Sequence, residues 1–592
     1  MCGIYLSISS SGYVPPNPGT RQFLHNRGPD SSKEHKVAIG PPAHFIEASL
    51  HQPLYITFIS SVLSLRGSNI VSQPLIDEAS RSVLCWNGEA WKLDDAEVTG
   101  NDSQKVFELF INASTGEAGA SELTTHKRIL KAISSISGPF AFVFYDAPNA
   151  RLYYGRDCLG RRSLLRKTDS TGKLILSSIC DIDSGDQWSE VEADGVYFVE
   201  LFPQTNVCSQ HILIEKQEYF NITHVPYGHN IEDEDSTTHL RIPFPPFSKA
   251  LPNSPPPTLS LSSPSVAQLH QALLKSLELR IRDVRLSFEV VERTSQNDSK
   301  IAILFSGGLD CTVLARLAHD ILPIEECVDL LNVAFQNPRV HRSLGNADEV
   351  HPSPYELCPD RITGRTSYNE LQKVCPGRTW RFVEVNIPYS ETVAHRDTVV
   401  SLMHPHNTEM DLSISYALYF ASRGVGLVRS PFNGEARNYT TPAHVLISGL
   451  GADELFGGYQ RHATAFSRRG YPGLTDELEL DINRLGKRNL GRDDRVISNW
   501  SKEARFPYLD EELLSWALDR PVWEKCGFGE YSSSIDLGHS VAEIEPGKKI
   551  LRLLAQKLAM TGVAVEKKRA IQFGTRTAKM ETGKTKGTQI LT

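Results

Sequence analysis

Short apolar runs that end in glycine-rich turns punctuate this chain, and they predict strands with polar residues at their ends. Ser82-Val83-Leu84-Cys85 reads as a buried strand and runs into Trp86-Asn87-Gly88-Glu89. Ile301-Ala302-Ile303-Leu304-Phe305 is a β-type run followed by Ser306-Gly307-Gly308-Leu309-Asp310. Behind that turn Val313, Leu314, Leu317 and Ile321 recur at helical spacing, so a strand, a turn and a helix are expected in that order. A third run, His444-Val445-Leu446-Ile447, leads into Ser448-Gly449-Leu450-Gly451-Ala452-Asp453-Glu454. From about Tyr227 to Ser265 the chain turns rich in Pro, Ser and charge, including Glu232-Asp233-Glu234-Asp235, and reads as a linker that buries no core. Residues 337–364 read as a surface insertion, and the Lys-, Thr- and Gly-rich stretch after Thr575 as a disordered tail. No internal repeat is visible. The expected division is 2–225, a linker at 226–265, a second domain at 266–575 and a tail at 576–592.

Three of these places carry chemistry. Removing Met1 would leave Cys2 with a free α-amine, which puts a nucleophile and a base on one carbon. The thiol has an ordinary pKa of about 8.5 and the amine about 7.7–8.0, so both reach reactive forms near neutral pH. A strand, a Ser-Gly-Gly turn and a helix start at 301–310 make an anion site from unpaired N–H groups and the helix dipole. The turn lacks the Gly-Lys-Ser/Thr ending of a Walker loop, which argues against a kinase-like P-loop. Adjacent carboxylates at 453 and 454, at the end of a buried strand, suit Mg²⁺. Each feature has a plainer alternative. Asn87-Gly88 suits a hairpin turn, Asp453-Glu454 a helix start, and Arg27-Gly28-Pro29-Asp30 a surface turn held by its own salt bridge.

The ordered set narrows these alternatives. Cys2, Arg27-Gly28-Pro29-Asp30, Trp86-Asn87-Gly88-Glu89, Asn101-Asp102-Ser103, Gly138-Pro139-Phe140 and Tyr154-Gly155-Arg156-Asp157 resemble the class II (N-terminal nucleophile) glutamine amidotransferases. The Ser306 and Ser448 loops, Glu503–Asp510, Gly547-Lys548-Lys549-Ile550-Leu551-Arg552 and Lys568-Arg569-Ala570-Ile571-Gln572-Phe573-Gly574 resemble the synthetase half of the glutamine-hydrolysing asparagine synthetase family. The likeness spans nearly the whole chain. It implies an α/β protein: an N-terminal nucleophile amidotransferase sandwich, then a doubly wound parallel-sheet ATP-pyrophosphatase domain. It also implies that Cys2 attacks the glutamine amide and that Asn87 and the Gly88 N–H form the oxyanion hole. Glu89 and Asp102 would hold the substrate's α-amino group and Arg66 its α-carboxylate. Ser306, Gly307, Gly308, Asp310, Ser448, Gly449, Asp453, Lys548 and Arg569 would bind ATP, with Asp310 and Asp453 on Mg²⁺. Of each basic pair, Lys548-Lys549 and Lys568-Arg569, one member is expected on a solvated helix face.

Composition changes this picture little. The 592 residues carry a net charge of −8 and are 40% hydrophobic, with a pI near 6.2, and neither a nucleic-acid nor a membrane partner is expected. Ten cysteines show no CxxC spacing, so neither a zinc site nor a disulfide framework is indicated. The sequence has no transmembrane-length run and no basic leader, and a cytoplasmic location with reduced thiols is expected. Nothing in the sequence excludes an oligomer. Glutamine, aspartate and ATP are the expected small-molecule partners. Two departures from the family pattern bear on the acceptor. Leu450 stands where a glutamate is common, and Ala570 where a lysine is common. Amidation of a different carboxylate, or a binding role without catalysis, therefore stays open beside asparagine synthesis.

Overall fold

The structure is a computed structural model that describes every residue except 41–52, 117–121, 169–172, 183–186, 203–219, 230–239, 287–297, 342–352, 431–432, 531–543, 581–585 and 592. The chain folds into two units. The first comprises Met1–Pro243 together with Leu485–Ser501, and the second Phe244–Arg484 with Lys502–Thr592.

The first unit is a sandwich of two sheets. A six-stranded antiparallel sheet has Gly3–Ser9 between Leu54–Val62 and Leu174–Ser177. A seven-stranded sheet has Phe140–Asp146 between Arg151–Arg156 and Val83–Gly88. Ile4, Leu6 and Ile8 pack across the gap with Val83, Cys85, Val143 and Tyr145. The intervening residues Leu84, Trp86, Phe142 and Phe144 point the other way, onto Phe110 and Val106 of the helix Asp102–Thr115 and Ile129 and Ile133 of Glu122–Ser134. This two-residue alternation decides where the chemistry sits. Cys2 has the parity of Ile4, and Asn87 has the parity of Cys85, so both fall at the same end of the inter-sheet gap.

The second unit is doubly wound. Its sheet runs Ala436–Thr440, Val425–Arg429, Trp380–Ile387, Val328–Phe335, Ile301–Leu304, Val445–Ile447, Glu503–Arg505, the last five parallel. From Ile301–Leu304 the chain winds first to one side and later returns to the other. The winding reverses between Ile301–Leu304 and Val445–Ile447, and ligands of such sheets bind outside the carboxyl ends of strands at such a reversal.

The described residues differ from the expected organisation in four places. Ile222–Gly228 and Leu240–Arg241 are strands of the seven-stranded sheet, so the first unit extends into the expected linker; Glu232–Asp235 lie outside the described residues. Leu485–Ser501 joins the first unit although its neighbours on both sides belong to the second. The end of the 337–364 stretch is the helix Pro359–Val374, with Arg361 wholly buried, rather than a surface excursion. Part of the tail is packed: Asn337 donates to the carbonyls of Arg576 and Ala578, and the Glu409 N–H to that of Gln589. Buried partners on distant parts of the chain explain each case, because composition registers local preference only.

The Phe110 ring is fully buried against Phe142 and Phe144, at 5.5 and 5.1 Å between centroids. Phe110→Ala should lower the stability of the first unit by about 3–5 kcal/mol, read as an earlier thermal transition with the second unit's transition unmoved.

Candidate active site

In the first unit the Cys2 N–H donates to Asn87 Oδ1 at 3.0 Å. That bond fixes the amide's orientation, and the buried Asn87 Nδ2 has no hydrogen-bond partner among the described residues. A buried donor without an acceptor is costly, and this one sits on the side chain that Cys2 contacts. Asn87-Gly88 is no hairpin turn: both residues pair in register with Ala141 and Phe140 at the end of a strand. A Cβ at Gly88 would come within 2.6 Å of the Pro139 carbonyl oxygen, so the neighbouring strand requires glycine there. Met1, which precedes Cys2, is buried.

Arg66, Glu89 and Asp102 converge next to this strand end. Arg66 lies 3.4 Å from Glu89 and donates to the carbonyls of Ala90 and Val98, stacking over Trp91. Asp102 Oδ2 accepts from the Trp86 indole at 3.0 Å and the Ala90 N–H at 2.9 Å, and burial pushes its carboxyl above the ordinary range. Arg27 and Asp30, for which the sequence leaves both a salt-bridged surface turn and a substrate loop open, are held by other parts of the chain. Arg27 is wholly buried and pairs with Asp494 at 2.8 Å, while Asp30 accepts from the Ser64 N–H at 2.7 Å.

In the second unit the Ser306 loop joins Ile301–Leu304 to the helix Leu309–Ile321, with Gly308 as its N-cap. Gly307 has φ +81°, and a Cβ there would come 2.4 Å from Gly364, so this turn is closed to other residues. The Ser306 hydroxyl accepts from the Gly308 N–H at 3.3 Å. The loop opens onto a cleft that Asp310, Asp360, Thr363, Lys548, Lys568 and Arg569 also line. Lys548 Nζ bridges Asp310, at 2.8 and 2.9 Å, and Asp453, at 2.8 Å, while Lys568 pairs with the second Asp453 oxygen. Gly449 packs against Asp310, where a Cβ would come 2.9 Å from the Asp310 Cβ. The Ser448 hydroxyl accepts from the Leu450 N–H at 3.3 Å and is turned to its own loop.

The adjacent carboxyls at 453 and 454 are driven apart. Burial would raise Asp453, but Lys548 and Lys568 outweigh it and hold that carboxyl well below the ordinary range. Burial and the Asp453 charge raise Glu454, whose Oε1 accepts from the Tyr459 hydroxyl at 2.5 Å. Asp310 and Asp453 offer oxygen donors that already converge on one ammonium. That donor set fits a hard divalent cation.

Two models of protein families match this chain: a glutamine amidotransferase domain over residues 61–182 and an asparagine synthase over 467–587. An asparagine synthetase domain-containing protein 1 of Mus musculus is 34% identical over 650 residues, 98% of this chain and 97% of that one. The chain belongs to the asparagine synthetase family. The Homo sapiens protein of the same name is 32% identical over 98% of this chain and 96% of its own. A Saccharomyces cerevisiae asparagine synthetase domain-containing protein is 31% identical over 90% and 86%.

Against that family background, the basic residues sort unevenly. Lys548 bridges the carboxylates, and Lys549 is no solvated residue either: it pairs with Glu530 with only 14% of its side chain exposed. Lys568 and Arg569 both reach into the cleft, Arg569 to Thr363 at 3.3 Å and Asp360 at 3.8 Å. The sequence reading missed Asp360 and Thr363, and the one local signal for them was Pro359, a helix-starting residue before two polar ones. Asp360 is 4% exposed, and burial pushes its carboxyl up to about 7 against the pull of Arg569 and Lys568.

A carboxyl raised in the fold contributes stability below its unfolded value and loses it as pH climbs through its folded value. Relative to Asp360→Asn, the unmodified protein should therefore lose stability between pH 3.8 and about 7 and level off above. Denaturant titrations of both proteins across that range check it; a constant difference would refute the assignment.

Proposed function

We propose that the chain hydrolyses glutamine at Cys2 and uses the ammonia, with ATP, to amidate aspartate to asparagine in the cytoplasm. The observation that carries the first half is the Asn87 side chain, tied to the nucleophile's own nitrogen with its donor end buried and unused. Once Met1 is removed, the Cys2 amine takes the thiol proton and the sulfur attacks the glutamine amide carbon. Asn87 Nδ2 and the Gly88 N–H then stabilise the oxyanion. The C–N bond breaks, ammonia leaves with the returned proton, and water cleaves the thioester to glutamate. Arg66, Glu89 and Asp102 are the candidates for holding the amino-acid end of glutamine, because they form one charged cluster beside this strand end.

In the second half an aspartate carboxylate oxygen attacks the α-phosphorus of ATP and pyrophosphate departs. Ammonia then displaces AMP from the acyl carbon. Asp310 and Asp453 would hold Mg²⁺, which supplies charge neutralisation at the phosphates when bound. Lys548, Lys568 and Arg569 add fixed positive charge around the same cleft. The loop N–H groups after Ser306 suit phosphate oxygens.

A ligase for another carboxylate is the second reading, and Leu450 favours it. This partly exposed, apolar residue occupies the loop next to Asp453 where an acidic group would assist an amine.

The test is simultaneous measurement of glutamate, AMP, pyrophosphate and asparagine from protein given glutamine, aspartate, ATP and Mg²⁺. Asparagine should form in step with AMP. Cys2→Ala should keep the ammonia-fed reaction and lose glutamine use, and Asn87→Ala should cut glutamate release about 10²–10³-fold. Glutamate release without aspartate-dependent AMP would reject aspartate as the acceptor.

A further inference from the structure

Arg27 spends its guanidinium on three partners at once. Nε donates to the Cys2 carbonyl oxygen at 3.0 Å, Nη1 to Ser498 Oγ at 2.6 Å and Nη2 to Asp494 Oδ2 at 2.8 Å. The Arg27 and Asp494 side chains are both 0% exposed. Arg27 is the last residue of the helix Pro18–Arg27, and Asn26 before it is also held by the same segment. Its side-chain amide donates to Asn499 Oδ1 at 3.0 Å, and its carbonyl accepts from Ser501 Oγ at 2.8 Å. Asp494 reaches further into the first unit, where the Ser163 N–H donates to its Oδ2 at 3.2 Å. Arg495 donates to Ser163 Oγ at 2.8 Å and pairs with Glu190.

We propose that Asp494 and Ser498 are positioning residues for the Cys2 nucleophile, acting through Arg27, so that a segment from the far half of the chain sets the glutamine-hydrolysing site. The Cys2 carbonyl accepts from a guanidinium whose plane is set by the other two partners. Two of Arg27's three restraints therefore come from Leu485–Ser501, a stretch joined by peptide bonds at both ends to the second unit. An arginine in a buried site with one partner removed can re-aim its fork, and the cysteine's backbone would follow. Misplacing a reacting group by about 1 Å costs about 10²-fold in rate.

The inference rests on Cys2 being the nucleophile for glutamine. The experiment is steady-state glutamate release and ammonia-fed AMP release by full-length protein, compared with Asp494→Asn and the milder Ser498→Ala. The rate of Cys2 alkylation by iodoacetamide against pH is followed in the same proteins by peptide mass spectrometry. Asp494→Asn should lower kcat for glutamine about 10–100-fold with KM held within about threefold and ammonia-fed AMP release unchanged. Ser498→Ala should show the same split with a smaller loss, and both should shift the pH profile of alkylation. Unchanged kcat and an unchanged alkylation profile in both variants would overturn the proposal. So would equal loss of the glutamine- and ammonia-fed reactions, the mark of a general folding defect. Absence of glutamate release from the unmodified protein would instead reject Cys2 as a glutamine nucleophile, and this proposal with it.

Discussion

A strand inside a sheet commits its backbone N–H and C=O groups to its neighbours, so this chain can do polar chemistry only where strands stop. Both units obey that constraint. In the first, the strand starting at Gly3 and the strand ending at Gly88 bring Cys2 and Asn87 to one end of the inter-sheet gap. In the second, the loops after Leu304 and Ile447 leave neighbouring parallel strands on either side of the winding reversal. Glycine recurs at these ends for one reason, since a Cβ at 88 or 307 would strike backbone of the next element.

Charge is handled differently in the two places. Around Asp310 and Asp453 the structure concentrates carboxylates and answers them with Lys548 and Lys568, leaving Lys548 only 2% exposed. Breaking one member of such a group leaves an uncompensated charge in a low-dielectric site, and each member therefore constrains the others. The outcome is a fixed pattern of protonation, with Asp453 held ionised while burial pushes Glu454 and Asp360 toward the neutral form. Near Cys2 the charges bear on backbone instead. Arg27 contacts the peptide of Cys2, and its counter-charge Asp494 is enclosed with it.

What could be read from sequence follows the range of the interactions. The strand at 83–88 and the turns at 306 and 448 rest on neighbours in the chain: an apolar run, then residues that tolerate tight geometry. Cys2, Asn87 and Asp310 were legible for that reason, together with the order of the motifs. Asp360 was not, because its environment comes from Arg569 and Gly574, about two hundred residues away, and a Pro-Asp pair in an irregular stretch carries no trace of them. Leu485–Ser501 lies inside the asparagine synthase match yet packs with the first unit, which no local pattern foretells. All four residues of its Arg492-Asp493-Asp494-Arg495 run are buried. The Lys- and Thr-rich tail misled in the opposite sense, since its backbone finds partners at Asn337 and Glu409.

The buried Arg27–Asp494 pair also bears on why an ionic contact stands where apolar packing would serve stability at least as well. Removing two charges from water is expensive, and well-packed hydrophobic replacements are often neutral or stabilising. Apolar contact, however, is non-directional and leaves the adjoining backbone free to slide by fractions of an ångström. A planar guanidinium with three defined acceptors fixes a direction, and here one of its donors is aimed at the Cys2 carbonyl. The same logic accounts for Asn87, whose amide is oriented by its acceptor end while its donor end stays buried without a partner among the described residues. In both cases stability is surrendered for geometry, and the geometry converges on Cys2.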